Sequence, residues 1–271
     1  MFKHKLKVLK KYIGIYWLYF RQYWKSRLIY KTDFTLGFIG QAISLATSLA
    51  FLTLIFTQVE TLQGWTYNEM LFLAGLSGFI MNLHHIFLFN IFHLGQDYIV
   101  TGDMDRFLLR PLSPLFQVYA DSISDNNLSK FVINGALIVY AGLQIGITLT
   151  PVMLLYGIGT IISGVLVFAS TYLLFATTAF WTGKSESAIW LIFRVSDFRK
   201  YPYSIYGVAI QIILITIIPL AFASFFPATF FLGKEGWTNW QMVTLIVGPV
   251  FFLISHKFWK FGLSNYSSTG S

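Results

Sequence analysis

The 271-residue chain has no cysteine, so disulfide frameworks, thiolate nucleophiles and cysteine-ligated metals are excluded. Charge is scarce as well. Lys, Arg, Asp and Glu make up 11% of the residues, against roughly 25% in an ordinary soluble domain. The apolar share is 56% and the mean hydropathy is +0.65. So much apolar surface needs lipid around it, and the chain reads as an integral membrane protein. The net charge of +8 would suit nucleic acid. That excess lies beside the hydrophobic runs, where membrane topology calls for it, so no nucleic-acid partner is expected.

The charge that is present follows a pattern. Lys3, Lys5, Lys7, Lys10, Lys11, Arg21, Lys25, Arg27 and Lys31 are nine of the nineteen basic residues. In the same stretch Leu6, Leu9, Ile13, Trp17, Phe20, Trp24 and Leu28 recur at helical spacing. Tyr12, Tyr16, Tyr19 and Tyr23 suit the headgroup layer. Residues 1–33 are therefore expected to form an amphipathic helix lying in the cytoplasmic membrane interface. The basic region is too long for a cleavable signal, and no small-residue cleavage site follows it.

Uncharged runs then predict an all-α domain of six transmembrane helices over residues 34–258, followed by a tail at 259–271. The spans fall near 34–57, 69–93, 131–149, 152–180, 204–220 and 241–258. The first connection has no basic residue. The second carries Arg106, Arg110 and Lys130, and the fourth carries Lys184, Arg194, Arg199 and Lys200. The fifth has Lys234 alone, and Lys257 and Lys260 close the last span. With both termini in the cytoplasm, eighteen of the nineteen basic residues face inward, as the positive-inside rule requires.

The expected span interiors hold no Asp, Glu, Lys or Arg. Ion-coupled transporters carry ionisable groups at membrane depth, so a self-powered pump is disfavoured. His84 and His85 point about 100° apart on a helix. They read as packed, hydrogen-bonded histidines rather than as a proton relay, and no metal site is expected. Gly142 and Gly146 form a small-xxx-small pair able to seat a neighbouring helix. Gly183-Lys184-Ser185 looks like the end of a phosphate loop. The required glycine five positions earlier is Thr178, and a membrane helix precedes it rather than a strand. This chain is not expected to bind ATP there.

Two connections stand out. Pro219 to Gly233 is apolar, rich in Phe and broken by Pro219 and Pro227. It is expected to re-enter the outer leaflet, with Pro219, Phe222, Phe226 and Pro227 forming an exit gate. Gly102 to Gln117 is charged and apolar at once. Gly102 should break the second-span helix and Asp103 should cap a short new one. Phe107, Leu108, Leu109 and Leu112 stand beside its charges, which a plain solvated loop would not need.

On these residues the chain resembles the ABC-2 type permeases of bacteria. Gly102-Asp-Met-Asp, Leu109-Arg-Pro-Leu and Pro114 carry the resemblance. So do Tyr201-Pro-Tyr-Ser-Ile-Tyr206, Ile218-Pro-Leu-Ala-Phe222, Phe226-Pro-Ala228 and Tyr266-Ser-Ser268. The resemblance implies a permease subunit of an ABC exporter in the bacterial plasma membrane. It would have no enzyme activity and no cofactor of its own. ATP and Mg would be held by a separate cytoplasmic ATPase dimer, and a second permease subunit would complete the unit, as a heterodimer more often than a homodimer. Gly102, Asp103, Asp105, Arg106, Phe107, Arg110, Pro111 and Pro114 would form the element that couples to the ATPase. The uncharged, aromatic interior would suit a hydrophobic or amphipathic cargo. The alternative is a membrane-embedded immunity, sensor or accessory module. A channel is a third reading, disfavoured because the spans offer few groups for a polar pore.

Overall fold

The computed structural model describes residues 2–27, 31–122 and 126–268. They are helical throughout, apart from turns and one isolated bridge between Leu62 and Trp65. Helix α1 is Phe2–Arg27 and α2 is Lys31–Phe56. Helix α3, Tyr67–Leu88, continues as a 3₁₀ turn over Phe89–His93 and a π-helical turn over Leu94–Val100. Two short helices follow, α4 (Met104–Leu108) and α5 (Pro114–Ala120). Then come α6 (Asn126–Ile145), α7 (Pro151–Thr177), α8 (Ala179–Thr182) and α9 (Glu186–Val195). After α10 (Val208–Ile212) and α11 (Phe225–Phe231), the long α12 (Thr238–Ser264) ends the fold.

Local sequence explains several of these ends. Thr66 and Glu69 form a capping box at the start of α3: the Glu69 carboxylate accepts from the Thr66 amide at 2.8 Å. Thr150 caps α7, with Pro151 in its first turn, where a missing N–H costs nothing. Gly233, at φ +62°, closes α11 in a Schellman motif: Lys234 N–H bonds Thr229 C=O and Gly233 N–H bonds Phe230 C=O.

Among the described residues, five helical stretches are long and apolar enough to cross a membrane: Gly37–Phe56, Tyr67–Val100, Asn127–Ile145, Pro151–Thr182 and Thr238–Ser264. A sixth crossing exists if the pair Val208–Ile217 and Leu220–Phe231, bent by 72°, is counted as one. The expected fifth span at 204–220 is therefore not a single helix. Its regular part, Val208–Ile217, has ten residues and rises about 15 Å, half the hydrocarbon thickness. Pro219, which cannot continue the hydrogen-bond ladder, lies at the break.

The surface is apolar in the manner of a lipid-facing protein. Ile43, Leu54, Leu143, Leu155, Val208 and Leu253 are all more than half exposed. Helix α3 is the hub, packed between α6 on one side and α7 on the other, and α12 lies along α7. Helix α2 lies loosely over α3 and α6 and leaves most of its surface open.

The pair Gly142 and Gly146 does not seat a helix. Gly146 ends α6 at φ +82°, and no atom of the described residues lies within 4 Å of where its Cβ would be. The close approach occurs between α7 and α12 instead. A Cβ on Gly248 would stand 2.1 Å from the Ser163 carbonyl oxygen. The Gly248 amide donates to Ser163 Oγ at 3.0 Å, which in turn donates to the Thr244 carbonyl at 2.5 Å.

Candidate functional site

The segment after α3 is built from a chain of polar contacts around a buried aromatic ring. Tyrosine 98 accepts from Asn90 Nδ2 at 2.8 Å and donates to Asp121 Oδ2 at 2.8 Å. Asn90 also donates to the Val118 carbonyl at 2.6 Å. Arg106 meets Asp121 at 3.5 Å and Asp103 at 3.6 Å. Phe107 is fully buried against the Tyr98 ring, with the guanidinium groups of Arg106 and Arg110 over its face at 5.0 and 5.8 Å. Gln117, from α5, closes the turn by donating to the carbonyls of Phe107 and Leu112. Burial raises the pKa of the neighbouring Tyr119 phenol.

Each residue of the expected coupling element can be placed. Gly102 sits at φ +78°, a left-handed conformation that ends the preceding helix. Asp103 holds the N-cap position of α4 but makes no capping hydrogen bond; its carboxylate turns to Arg106 instead. Asp105 accepts from Ser268 at 2.5 Å, so the C-terminal stretch folds back over α4. Pro114 starts α5, and Pro111 and Arg110 are exposed. Phe107 points into the protein. Leu109 is the outward feature: it is 87% exposed, with Leu108 half-exposed beside it. Its exposure could not be read from spacing, because a five-residue helix gives no reliable face.

Two further neighbours hold this segment. Helix α1 reaches it through Tyr12, whose hydroxyl accepts from the Ser113 amide at 3.1 Å and whose ring packs edge-on against Phe116 at 4.7 Å. Tyr16 adds a bond to the Phe87 carbonyl at 3.1 Å. Ile13 and Trp17 of the expected stripe remain exposed. Leu28 lies outside the described residues, as do the side chains of Leu6, Leu9 and Trp24. The second neighbour was not legible in the sequence. Glu186, at the start of α9, accepts from the Gln96 amide at 2.9 Å, ninety residues away. A Cβ on Gly95 would meet Ser185 N and Glu186 Oε1 at 3.0 and 3.1 Å. Only glycine there lets the two connections touch without a shift.

The other end of the molecule is closed by rings. Phe222 and Phe226 are buried and 4.8 Å apart, and Phe226 stacks on Trp240 at 5.6 Å. Phe225 packs on Trp65, Tyr203 and Trp237. Pro227 is buried within α11, and Pro219 precedes the turn that leads to it. Lys234 fastens this end: it lies 2.9 Å from Glu69, donates to the Gly64 carbonyl and covers the Trp65 ring at 4.8 Å.

His84 and His85 are buried on α3. His84 stacks on Tyr172 at 5.1 Å, and neither ring nitrogen has a hydrogen-bond partner among the described residues. It is packed but not hydrogen-bonded, contrary to expectation. His85 meets Tyr172 Oη at 3.4 Å. Gly183-Lys184-Ser185 forms a turn between α8 and α9, with no strand before it.

A family model described as ABC-2 family transporter protein matches residues 42–270. The chain belongs to the ABC-2 transporter family. It is thus a multi-pass membrane protein and the permease component of an ABC transporter, a role that implies association with an ATPase component. No curated protein and no solved structure matched the chain. ABC-2 membership favours a transport component over the immunity or sensor reading.

Proposed function

We propose that this ABC-2 permease exports a hydrophobic or amphipathic cargo by alternating access, driven by a separate ATPase dimer that holds ATP and Mg. The observation that carries the reading is the tip Leu108–Pro111. An exposed leucine stands there on a segment tied into the body by Tyr98, Asp121, Arg106 and Gln117. An apolar knob on a rigid base suits a partner cleft, and force applied to it passes directly into α3. The tyrosines of α1 and the Asp105–Ser268 contact brace the same base, which fits a helix at the cytoplasmic interface and both termini on that side. Pro219 to Gly233 would close the exit on the opposite face. A second permease subunit, most simply a different chain, would complete the pathway in the plasma membrane.

The test is co-purification with the transporter's ATPase component. Leu109→Glu should abolish complex formation or ATP-coupled transport, while the monomer keeps its thermal stability. A Leu109→Glu subunit with wild-type coupling would refute the docking role. The double charge reversal of Asp105 and Arg106 is a harsher variant, since Arg106 also holds Asp103 and Asp121.

A further inference from the structure

A cavity of about 330 Å³ opens between α2, α3 and α6. This is the lower end of the range of roughly 300–1,000 Å³ found for ligand pockets. Its two ends differ chemically. Towards the start of α3 the wall is apolar, with Leu49, Leu52, Met70 and Leu71. Towards the start of α6 it is basic, with Lys130, Arg199 and Lys200. Among the described lining residues Asp197 is the sole carboxylate. It lies 2.7 Å from Lys200 and 3.6 Å from Arg199, and Lys130 is the third cation of the lining, so three cations stand against one anion.

Arg199 gives the second observation. The sequence placed it in the fourth connection, facing the cytoplasm, yet its side chain is 6% exposed. Its Nη1 donates to the Ser196 carbonyl at 2.6 Å. Its Nε has no hydrogen-bond partner among the described residues. A buried guanidinium donor left without an acceptor is costly and calls for one. The charge excess of the lining calls for an anion at the basic end.

The position decides which anion. Lys130 stands in the second turn of α6, near one end of a stretch long and apolar enough to cross a membrane, and a headgroup is the anion such an end would meet. Helix α2, one wall of the cavity, leaves most of its apolar surface open, so the cavity lies at the edge of the fold rather than in its interior. Basic pockets between membrane helices bind anionic headgroups by this arrangement. We propose that the cavity holds an anionic glycerophospholipid, with its phosphate against Arg199, Lys130 and Lys200 and one acyl chain along the apolar wall. Such a lipid would wedge α2 against α3 and α6, and its binding requires neither ATPase nor transport.

Native mass spectrometry of the purified full-length chain tests this. Phosphatidylglycerol and phosphatidylcholine with the same acyl chains are titrated separately, and inorganic phosphate is the third arm. The chain should retain phosphatidylglycerol in preference to phosphatidylcholine. Lys200→Gln and Lys130→Gln should each weaken it roughly fivefold, and the pair about 30-fold. Leu49→Trp, which fills the apolar end and leaves the charges, should weaken it as well. Lys200 is half-exposed, so its substitution does not threaten the fold. Equal retention of the two lipids would overturn the proposal. So would unchanged binding in the lysine variants, or displacement by millimolar phosphate with no effect of Leu49→Trp, which would mark a bare anion site. Because no ATPase is present, each result stands apart from the export reading.

Discussion

Gly248→Ala should be among the most damaging single-carbon additions in this protein. The new Cβ would lie 2.1 Å from the Ser163 carbonyl oxygen, 2.6 Å from its Oγ and 2.7 Å from its carbonyl carbon. Ordinary contact begins near 3.4 Å, so α7 and α12 must separate by about 1.3 Å where they cross. The obstacle is backbone, not the tip of a flexible side chain, and cannot swing aside. Overpacking of this kind costs about 1–3 kcal/mol. Separation also stretches the bonds from Gly248 to Ser163 and from Ser163 to Thr244, worth about 0.6 kcal/mol each inside a membrane. The better helix propensity of alanine returns up to about 1 kcal/mol. The net loss is about 1–3 kcal/mol, or roughly 2–6 °C in melting temperature for a chain of this size. Thermal unfolding in detergent, followed by size-exclusion fluorescence, measures it. Gly40→Ala is the control, since no atom of the described residues lies within 4 Å of where its Cβ would be. Ser163→Ala should not rescue Gly248→Ala, because the nearest atom is the carbonyl oxygen. A melting temperature equal to wild type, or full rescue by Ser163→Ala, would refute the reasoning.

Lys234→Met should destabilise the outer end by about 1–2 kcal/mol, because it leaves a largely buried Glu69 without its cation and uncovers the Trp65 ring; chemical denaturation compares it with Glu235→Ala, which should be neutral. The chain has no native cysteine, so single cysteines report cleanly: Glu235→Cys should react quickly with an impermeant thiol reagent added outside, and Ser224→Cys and Ala228→Cys, at buried positions, slowly. Labelling of Glu235→Cys from the cytoplasmic side alone would reverse the proposed topology. Spin labels at Leu9 and Trp24 should report similar shallow depths if α1 lies in the interface, and a large difference would mean that it crosses. Removing the Glu186 carboxylate with Glu186→Gln should leave the fold intact but loosen the contact with Gln96, read as faster amide exchange across residues 94–100.

The break at Pro219 was legible, because a proline stops a helix through its own ring. Gly102 was legible for the same local reason, since its φ of +78° is one that few other residues adopt. Asp103 was a fair N-cap candidate by type, but Arg106 competes for its carboxylate and wins. The small pair in α6 failed on context: Gly146 serves as a helix terminus, and nothing approaches Gly142 closely enough to need its missing side chain.

What the sequence by itself determined is the part that each residue decides alone. Keeping charge out of lipid is a cost paid residue by residue, so uncharged runs mark the membrane helices and basic clusters mark their flanks. The segment 102–117 showed itself by mixing charge with leucine and proline. What the tertiary structure decided is everything that depends on pairs far apart in the chain. It set Phe107 inward and Leu109 outward. It joined Gln96 to Glu186, closed α7 on α12 at Gly248, and buried Arg199 among membrane helices beside Lys130. Those outcomes are sums of packing and electrostatic terms between elements, and no local period carries them.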